Sequence, residues 1–226
     1  MGEVKERPIL FSGPMVRAFL EDRKTNTRRV INFDTVGNRE QSRNCFGPDG
    51  YDTVGEKSII RVPWTAESLK HLLVCPFGEV GDRLWVKETY FAWRCKTYTS
   101  EGMTEGPEQC VYAADGGTLL NGAKWRPSIF MFRRFSRITL EITNVRVQRL
   151  QEITEEDAQA EGALFHDGGG IGHSGWRHDI NHGFVYANAR TSFAKLWDSL
   201  NAKRGFGWDK NPWLWALSLR RVKEGE

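Results

Sequence analysis

The 226-residue sequence has no uninterrupted apolar run of bilayer length, no C-x-x-C pair, no internal repeat and no low-complexity tract. Each absence removes a class of protein. Without about 20 consecutive apolar residues no transmembrane helix is expected. The polar, charged stretch Met1–Arg7 has no secretory core behind it, so a cytoplasmic placement with no membrane partner is expected. The 4 cysteines, Cys45, Cys75, Cys95 and Cys110, lie far apart. Structural zinc sites show paired ligands, so no zinc is expected and the thiols read as reduced. His166, His173, His178 and His182 crowd one Gly-rich segment, which reads as a flexible polar loop rather than a metal site. No cofactor is implied, and nothing bears on oligomeric state.

The length is enough for one large domain or two small ones. Hydrophobic residues make up 39% and charged residues 27%, enough to bury a core and to keep a polar surface. Aromatic residues make up 12%, with Trp at 9 copies, and most of these rings are expected in the core. The net charge of +3 neither requires nor excludes nucleic acid. Local basic clusters matter more: Arg28 with Arg29, Arg133 with Arg134 and Arg137, Arg146 with Arg149, and Arg220 with Arg221.

Hydrophobic periodicity sets a coarse order of elements. Arg7–Phe11 reads as a first strand, and Ser12 with Pro14 opens a helix to about Asp22. Met15 and Phe19 share a face of that helix, with Val16 and Leu20 beside them. A polar, basic loop, 23–29, closes on Val30 and Ile31. Residues 32–80 read as irregular, with a strand near 58–62, a short helix at 67–74 and a turn at 78–82. Arg83–Phe91 is rich in β-formers and reads as a strand, followed by a loose stretch at 94–127 with a short strand at 111–113.

Ile138–Leu150 is the clearest strand. Ile138, Leu140 and Ile142 alternate with polar residues, then the phase flips at Asn144 and continues through Val145 and Val147. A flip inside one strand predicts a bulge or bend. Thr154 followed by three acids opens a helix that ends near Gly162. A mobile Gly- and His-rich loop is expected at 163–185, a helix at 187–202 and a last strand at 213–222. Strands and helices do not alternate as βαβ, so the expected class is α+β. A curved, mainly antiparallel sheet or barrel with flanking helices fits the order.

Lys24, Thr27 and Glu161 are the residues most suited to chemistry. Thr needs a base to take its proton. Lys serves only with its pKa lowered from about 10.4, which burial and the neighbouring Arg28 and Arg29 favour. If the first helix continued, Lys24 and Thr27 would point the same way. Glu161 can act as general acid or hold the lysine. Lys-x-x-Thr is a common spacing, and by itself it favours a non-catalytic, phosphate-binding or solvated loop. Glu88, beside Lys87 on a strand, is a rival acid, for which a structural ion pair is the favoured role.

The segment Asp22-Arg23-Lys24-Thr25-Asn26-Thr27-Arg28-Arg29 resembles the signature loop of the ASCH domain, a branch of the PUA-like superfamily, with Asp22 in place of the usual Gly. Gly81-Asp82-Arg83-Leu84-Trp85-Val86 is similar to the family's turn into a strand, and 150–162 to its helix after the long strand. Phe193, Leu196 and Trp197 followed by Asn211-Pro212-Trp213 resemble the ending of a longer form common in phages and prophages, which would place the chain in a host cytoplasm. The resemblance implies a single PUA-like β-barrel domain over 1–226, with insertions at about 32–80, 94–127 and 163–185. It also implies an amidohydrolase that removes an acyl group from an N4-acylated cytidine-type base. In that reaction Thr27 attacks the carbonyl, Lys24 takes its proton and Glu161 assists.

Two alternatives stand beside this expectation. One is a non-catalytic RNA-binding module using Arg28 and Arg29, and the other is an RNase of the same fold. Arg133, Arg134 and Arg137 interleave with Phe130, Phe132 and Phe135, a pattern that can hold phosphates while rings stack on bases. The competing reading, slightly favoured, places those rings in the core and the arginines on a solvated face. The expected partner is therefore a modified nucleoside or RNA, or another single-stranded nucleic acid.

Overall fold

The computed structural model describes residues 3–31, 51–52, 62–63, 65, 74–99, 102–119, 122–168, 174–178 and 185–223. Strand β1 (Glu6–Leu10) leads into helix α1 (Gly13–Leu20). Ser12 holds the N-cap position and Pro14 the first turn, but the Ser12 hydroxyl makes no capping bond. Chain reversal after α1 uses Asp22 in the left-handed region, φ 53°. A short polar side chain tolerates that conformation better than most.

The segment read as a basic loop is in fact strand β2 (Asn26–Val30). It pairs antiparallel with the last strand, so Thr27 lies opposite Leu217 and Arg29 opposite Trp215. Two short strands, β3 (Tyr51–Asp52) and β4 (Val62–Pro63), pair with each other. The strand expected at 58–62 and the helix expected at 67–74 lie almost wholly outside the described residues.

The single strand expected at 83–91 is divided into β5 (Arg83–Lys87) and the start of β6 (Tyr90–Thr99). The stretch expected to be loose forms a long hairpin of β6 with β7 (Gly102–Tyr112). Tyr, Thr and Val positions favour the ladder, while its Gly, Pro and Glu residues hid the strand pattern in the sequence. Strand β8 (Thr139–Arg149) carries the predicted irregularity. Ser218 pairs with Asn144 and Leu219 with Ile142, so Thr143 is the extra residue. The bulge lets Leu140, Ile142 and Val147 all reach the interior despite the change of phase.

Helix α2 (Glu155–Ala160) starts where the sequence indicates: Thr154 Oγ1 accepts from Asp157 N at 3.1 Å. Two short strands, β9 (Leu164–His166) and β10 (Gly175–Arg177), pair antiparallel within the segment expected to be a mobile loop. Helix α3 (Ala189–Asn201) is capped by Asn188, and β11 (Trp213–Arg221) closes the described fold.

The main sheet has the order β1-β5-β8-β11-β2, with β1 parallel to β5 and every other pair antiparallel. The α+β class stands, but the barrel does not close. No ladder joins the edge strands β1 and β2 among the described residues. Strand β11 explains how one sheet serves two cores. Trp213, Trp215, Leu217 and Leu219 face one side, the last two packing with Ile9, Leu84, Leu140 and Phe19 of α1. Leu214 faces the other side and packs with Ala158 of α2 and Phe193 and Trp197 of α3. The Gly81–Asp82 turn ties the start of β5 to β1: the Asp82 carboxylate accepts from Lys5 N at 3.0 Å and from Arg7 Nη1 at 2.7 Å.

Candidate functional site

Lys24 sits where the ends of α1 and α2 meet. Its amide donates to Ala18 O of α1 at 3.0 Å, and it forms an isolated β-bridge with Glu161, the residue that ends α2. The side chain is buried, and its Nζ has three acceptors: Asn26 O at 2.7 Å, Glu161 O at 3.0 Å and Glu161 Oε2 at 2.5 Å. Three acceptors need three N–H groups, so Lys24 is an ammonium in this arrangement. Burial pulls its pKa below the ordinary lysine range, and the Glu161 carboxylate opposes that pull.

Glu161 is held by two cations. Its other oxygen accepts from Arg28 Nη1 at 2.9 Å. Burial pushes this carboxyl up, but Lys24 and Arg28 outweigh burial and keep it below the ordinary glutamate value. Arg28 also donates from Nη2 to Asp157 Oδ2 at 2.6 Å. With the Gln148 amide turned to satisfy both groups, its oxygen accepts from Arg28 Nη2 at 3.0 Å and Nε at 3.2 Å. Asp157 further accepts from Asn26 Nδ2 at 3.0 Å and from Arg146 Nη2 at 3.1 Å. Lys24, Arg28 and Arg146 thus face Glu161 and Asp157, three cations to two anions.

The strand geometry of β2 separates the expected triad. Alternate residues of a strand face opposite sides. Arg28 points with Lys24 toward Glu161, while Thr27 and Arg29 point the other way. Thr27 is fully buried, and its hydroxyl accepts from Arg29 Nη1 at 2.9 Å. Arg29 also donates from Nη2 to Leu10 O at 2.9 Å and lies over the Phe11 ring at 5.4 Å. One guanidinium therefore spans the unpaired edges of β1 and β2 and covers Thr27. Lys24 and Glu161 come together as expected, and Thr27 stands apart from them under Arg29.

A cavity of about 630 Å³ opens over this network. Both edge strands line it, through Leu10 of β1 and Arg28, Arg29 and Val30 of β2, so it occupies the place where the sheet stays open. Lys24, Glu161 and Gly162 lie on its wall, and Met15 of α1 and Phe193, Trp197 and Leu200 of α3 supply an apolar side. Leu200 is one of the large apolar side chains left exposed, since its helical face turns to this space rather than to the core. Thr27 is not among the lining residues.

His178 also lines the cavity. Its Nε2 lies 2.9 Å from Ala158 O, an acceptor, so Nε2 carries the proton. Nδ1 then accepts from Ser192 Oγ at 2.9 Å. Burial lowers its pKa to about 4, so the ring is neutral near pH 7. His178, Asp157, Gln148 and Arg146 were not singled out as members of this site in the sequence. Asp157 carried a usable signal: it precedes Glu161 by four residues, so both carboxylates share one side of α2.

The other expected residues lie elsewhere. Glu88 is buried and bidentate with Arg137, at 2.9 and 3.0 Å, in the structural ion pair expected of it. Arg137 also holds Asp115 at 2.7 Å and covers the Tyr112 ring. Arg133 pairs with Glu6 at 2.9 Å and Arg134 with Glu108 at 3.0 Å. The phenylalanines divide: Phe135 is buried, while Phe130 and Phe132 are exposed. Among the described residues no group of three or more His, Cys, Asp or Glu could hold a metal ion, and no helix is long and apolar enough to cross a membrane. His173 and His182 lie outside the described residues.

No family model and no curated protein matches the chain. Among solved structures, protein EF3133 of Enterococcus faecalis V583, described under family model DUF984, is similar at 10% identity and a TM-score of 0.33 over 90% of this chain. The chain spans 63% of that protein's length. A TM-score at that level assigns neither family nor function.

Proposed function

We propose that the cavity over Lys24 and Glu161 receives a modified nucleobase and that the chain is an amidohydrolase, removing the acyl group of an N4-acylated cytidine-type base. The observation that carries the reading is a buried Lys–Glu pair on the wall of a largely apolar cavity. Its volume of about 630 Å³ lies within the ordinary range of small-molecule sites. The ASCH-like motif supplies the reaction class.

In this reading Thr27 Oγ attacks the acyl carbonyl, Lys24 accepts the Thr27 proton, and Glu161 holds Lys24 in place. The amine of the base leaves with a proton, and water then hydrolyses the acyl ester on Thr27. Three changes must precede attack. Thr27, which faces away from Lys24 and does not line the cavity, turns into it. Arg29 leaves the Thr27 hydroxyl for the acyl carbonyl oxygen, where a cation stabilises the developing oxyanion. Lys24 also passes to the Glu161 carboxylate the proton that burial already makes easier to lose.

The test is incubation with N4-acetylcytidine, following cytidine by chromatography, for wild type and Thr27→Ala. Release by wild type alone supports the threonine route. Release by both keeps the hydrolase and removes Thr27 as nucleophile. Intact substrate with both proteins removes the reading for this base. A second reading, a module that binds RNA without turnover, is favoured by one observation. All three Lys24 donors are already satisfied and Thr27 is covered by Arg29. It predicts binding of the base in the same assay with no product.

A further inference from the structure

A second surface lies one strand pair away from the cavity. Ile129, Phe130 and Phe132 are 60%, 65% and 55% exposed, three large apolar side chains within four residues. Their backbone is not loose. Tyr90 Oη donates to Phe130 O at 3.0 Å, Lys87 Nζ donates to Ile129 O, and Arg126 and Tyr90 exchange two backbone hydrogen bonds at 2.8 and 3.2 Å. Met131 between them is buried and anchors the segment. The rings are held outward on a fixed support, which lowers the ordering cost of any ligand that stacks on them.

Lys87 and Arg126 line the hollow of about 440 Å³ beside these rings, and among the described residues no acid lines it. The Arg134 guanidinium lies 4.8 Å from the Phe132 ring centroid and 4.6 Å from that of Phe135, supporting Phe132 from behind. Exposed aromatic rings beside Lys87 and Arg126 match the base faces and phosphates of a single strand, whereas a duplex keeps its base faces stacked.

The two sites are neighbours. Leu10, on the cavity wall, is the register partner of Lys87 in the β1–β5 ladder. Paired residues of adjacent strands point to the same face, about 4.8 Å apart. A strand whose modified base enters the cavity therefore passes Leu10 and Lys87 toward Phe130 and Phe132.

We propose that Ile129, Phe130 and Phe132, with Lys87 and Arg126, form a stacking platform for a single-stranded polynucleotide, and that the cavity's base is presented within a strand. The part concerning the cavity rests on the function proposed above; the platform is tested without it. The experiment is fluorescence anisotropy with labelled ten-nucleotide oligouridylate and oligothymidylate. The proteins are wild type, Phe130→Ser/Phe132→Ser and Lys87→Ala/Arg126→Ala, with near-native circular dichroism checked first.

The expected result is salt-sensitive binding to wild type, weakened about tenfold or more by losing the rings. Loss of the two cations should reduce the salt slope. A preference for oligouridylate assigns RNA, and equal binding assigns a site that does not read the sugar. Unchanged binding in the serine variant overturns the platform. So does absence of binding by wild type, and if the serine variant then also abolishes a dimer seen by sedimentation, the face belongs to a second copy of the chain. Ring-dependent binding without cytidine release from the acetylated nucleoside leaves the platform standing and removes the free nucleoside as substrate. Nucleoside hydrolysis without oligonucleotide binding does the reverse.

Discussion

Lys24 Nζ and Glu161 Oε2 meet at 2.5 Å across 137 residues of sequence, with side chains 1% and 5% exposed. The pair joins the ends of α1 and α2 and forms part of the cavity wall. Its energetics and its chemistry are therefore tested by the same substitutions.

Glu161→Gln keeps the shape of the side chain and leaves the Lys24 ammonium and the Arg28 guanidinium facing a neutral amide. Breaking a buried pair from one side costs about 3–5 kcal/mol. Lys24→Met should cost less, because Glu161 retains Arg28. Urea denaturation of both variants and the double variant gives the coupling. A wild-type midpoint for Glu161→Gln would show that the pair contributes nothing to stability.

Stability should fall in two stages as the solution is acidified. His178 has a folded pKa of about 4, below its ordinary value of roughly 6.5, so the unfolded chain takes up its proton first. Its contribution is present above about 6.5 and is lost as pH falls toward 4. Burial pushes the Asp157 carboxyl up, but Arg146 and Arg28 hold it below the ordinary range; Glu161 is also held low. Their contribution is lost only below the ordinary carboxyl range, roughly pH 4. Urea midpoints against pH should lose the first stage in His178→Asn and flatten in the second in Asp157→Asn.

Gly162→Ala should perturb the site from behind. Gly162 has φ 102°, and a Cβ there would lie 3.0 Å from Ala18 Cβ and 3.4 Å from Lys24 Cβ. Backbone strain and crowding together predict a loss of about 1–3 kcal/mol. Base binding should weaken as Lys24 is displaced. Thermal unfolding and calorimetric titration read the two effects separately.

Arg29→Ala removes both the donor to Thr27 and the bridge to Leu10 O. The expected stability loss is about 1–3 kcal/mol, the cost of leaving the buried Thr27 hydroxyl without its donor. If Arg29 stabilises the oxyanion, cytidine release should fall by about 10²–10³. Arg29→Lys, which keeps one charge but not the two-armed bridge, should recover part of the rate and little of the stability. Equal rates for all three proteins would confine Arg29 to a structural role.

Several features were legible along the chain because they depend on local patterns. The phase flip at Asn144 foretold the bulge at Thr143, since a strand with one buried side can change phase only by adding a residue. Thr154 announced its helix through the cap it makes. The alternation Trp213, Trp215, Leu217, Leu219 marked one of the two buried sides of β11. Glu88 forms the ion pair expected of it, but with Arg137, 49 residues away, rather than with its neighbour Lys87.

Tertiary structure decided the rest. Nothing local makes Asn-Thr-Arg-Arg-Val a strand with a buried arginine. Arg28 can be buried only because Asp157 and Glu161 of the α2 segment and Gln148 of β8 arrive from more than a hundred residues away to take its donors. Pairing with β11 then turned Lys24-x-x-Thr27 from a shared helical face into opposite sides of a strand. The exposed Phe130 and Phe132 and the buried Phe135 share one composition, and packing alone separated them. Residue types and their periods determined which groups could take part. Contacts between distant segments determined which of them meet, because burying a charge depends on a partner that no local pattern supplies.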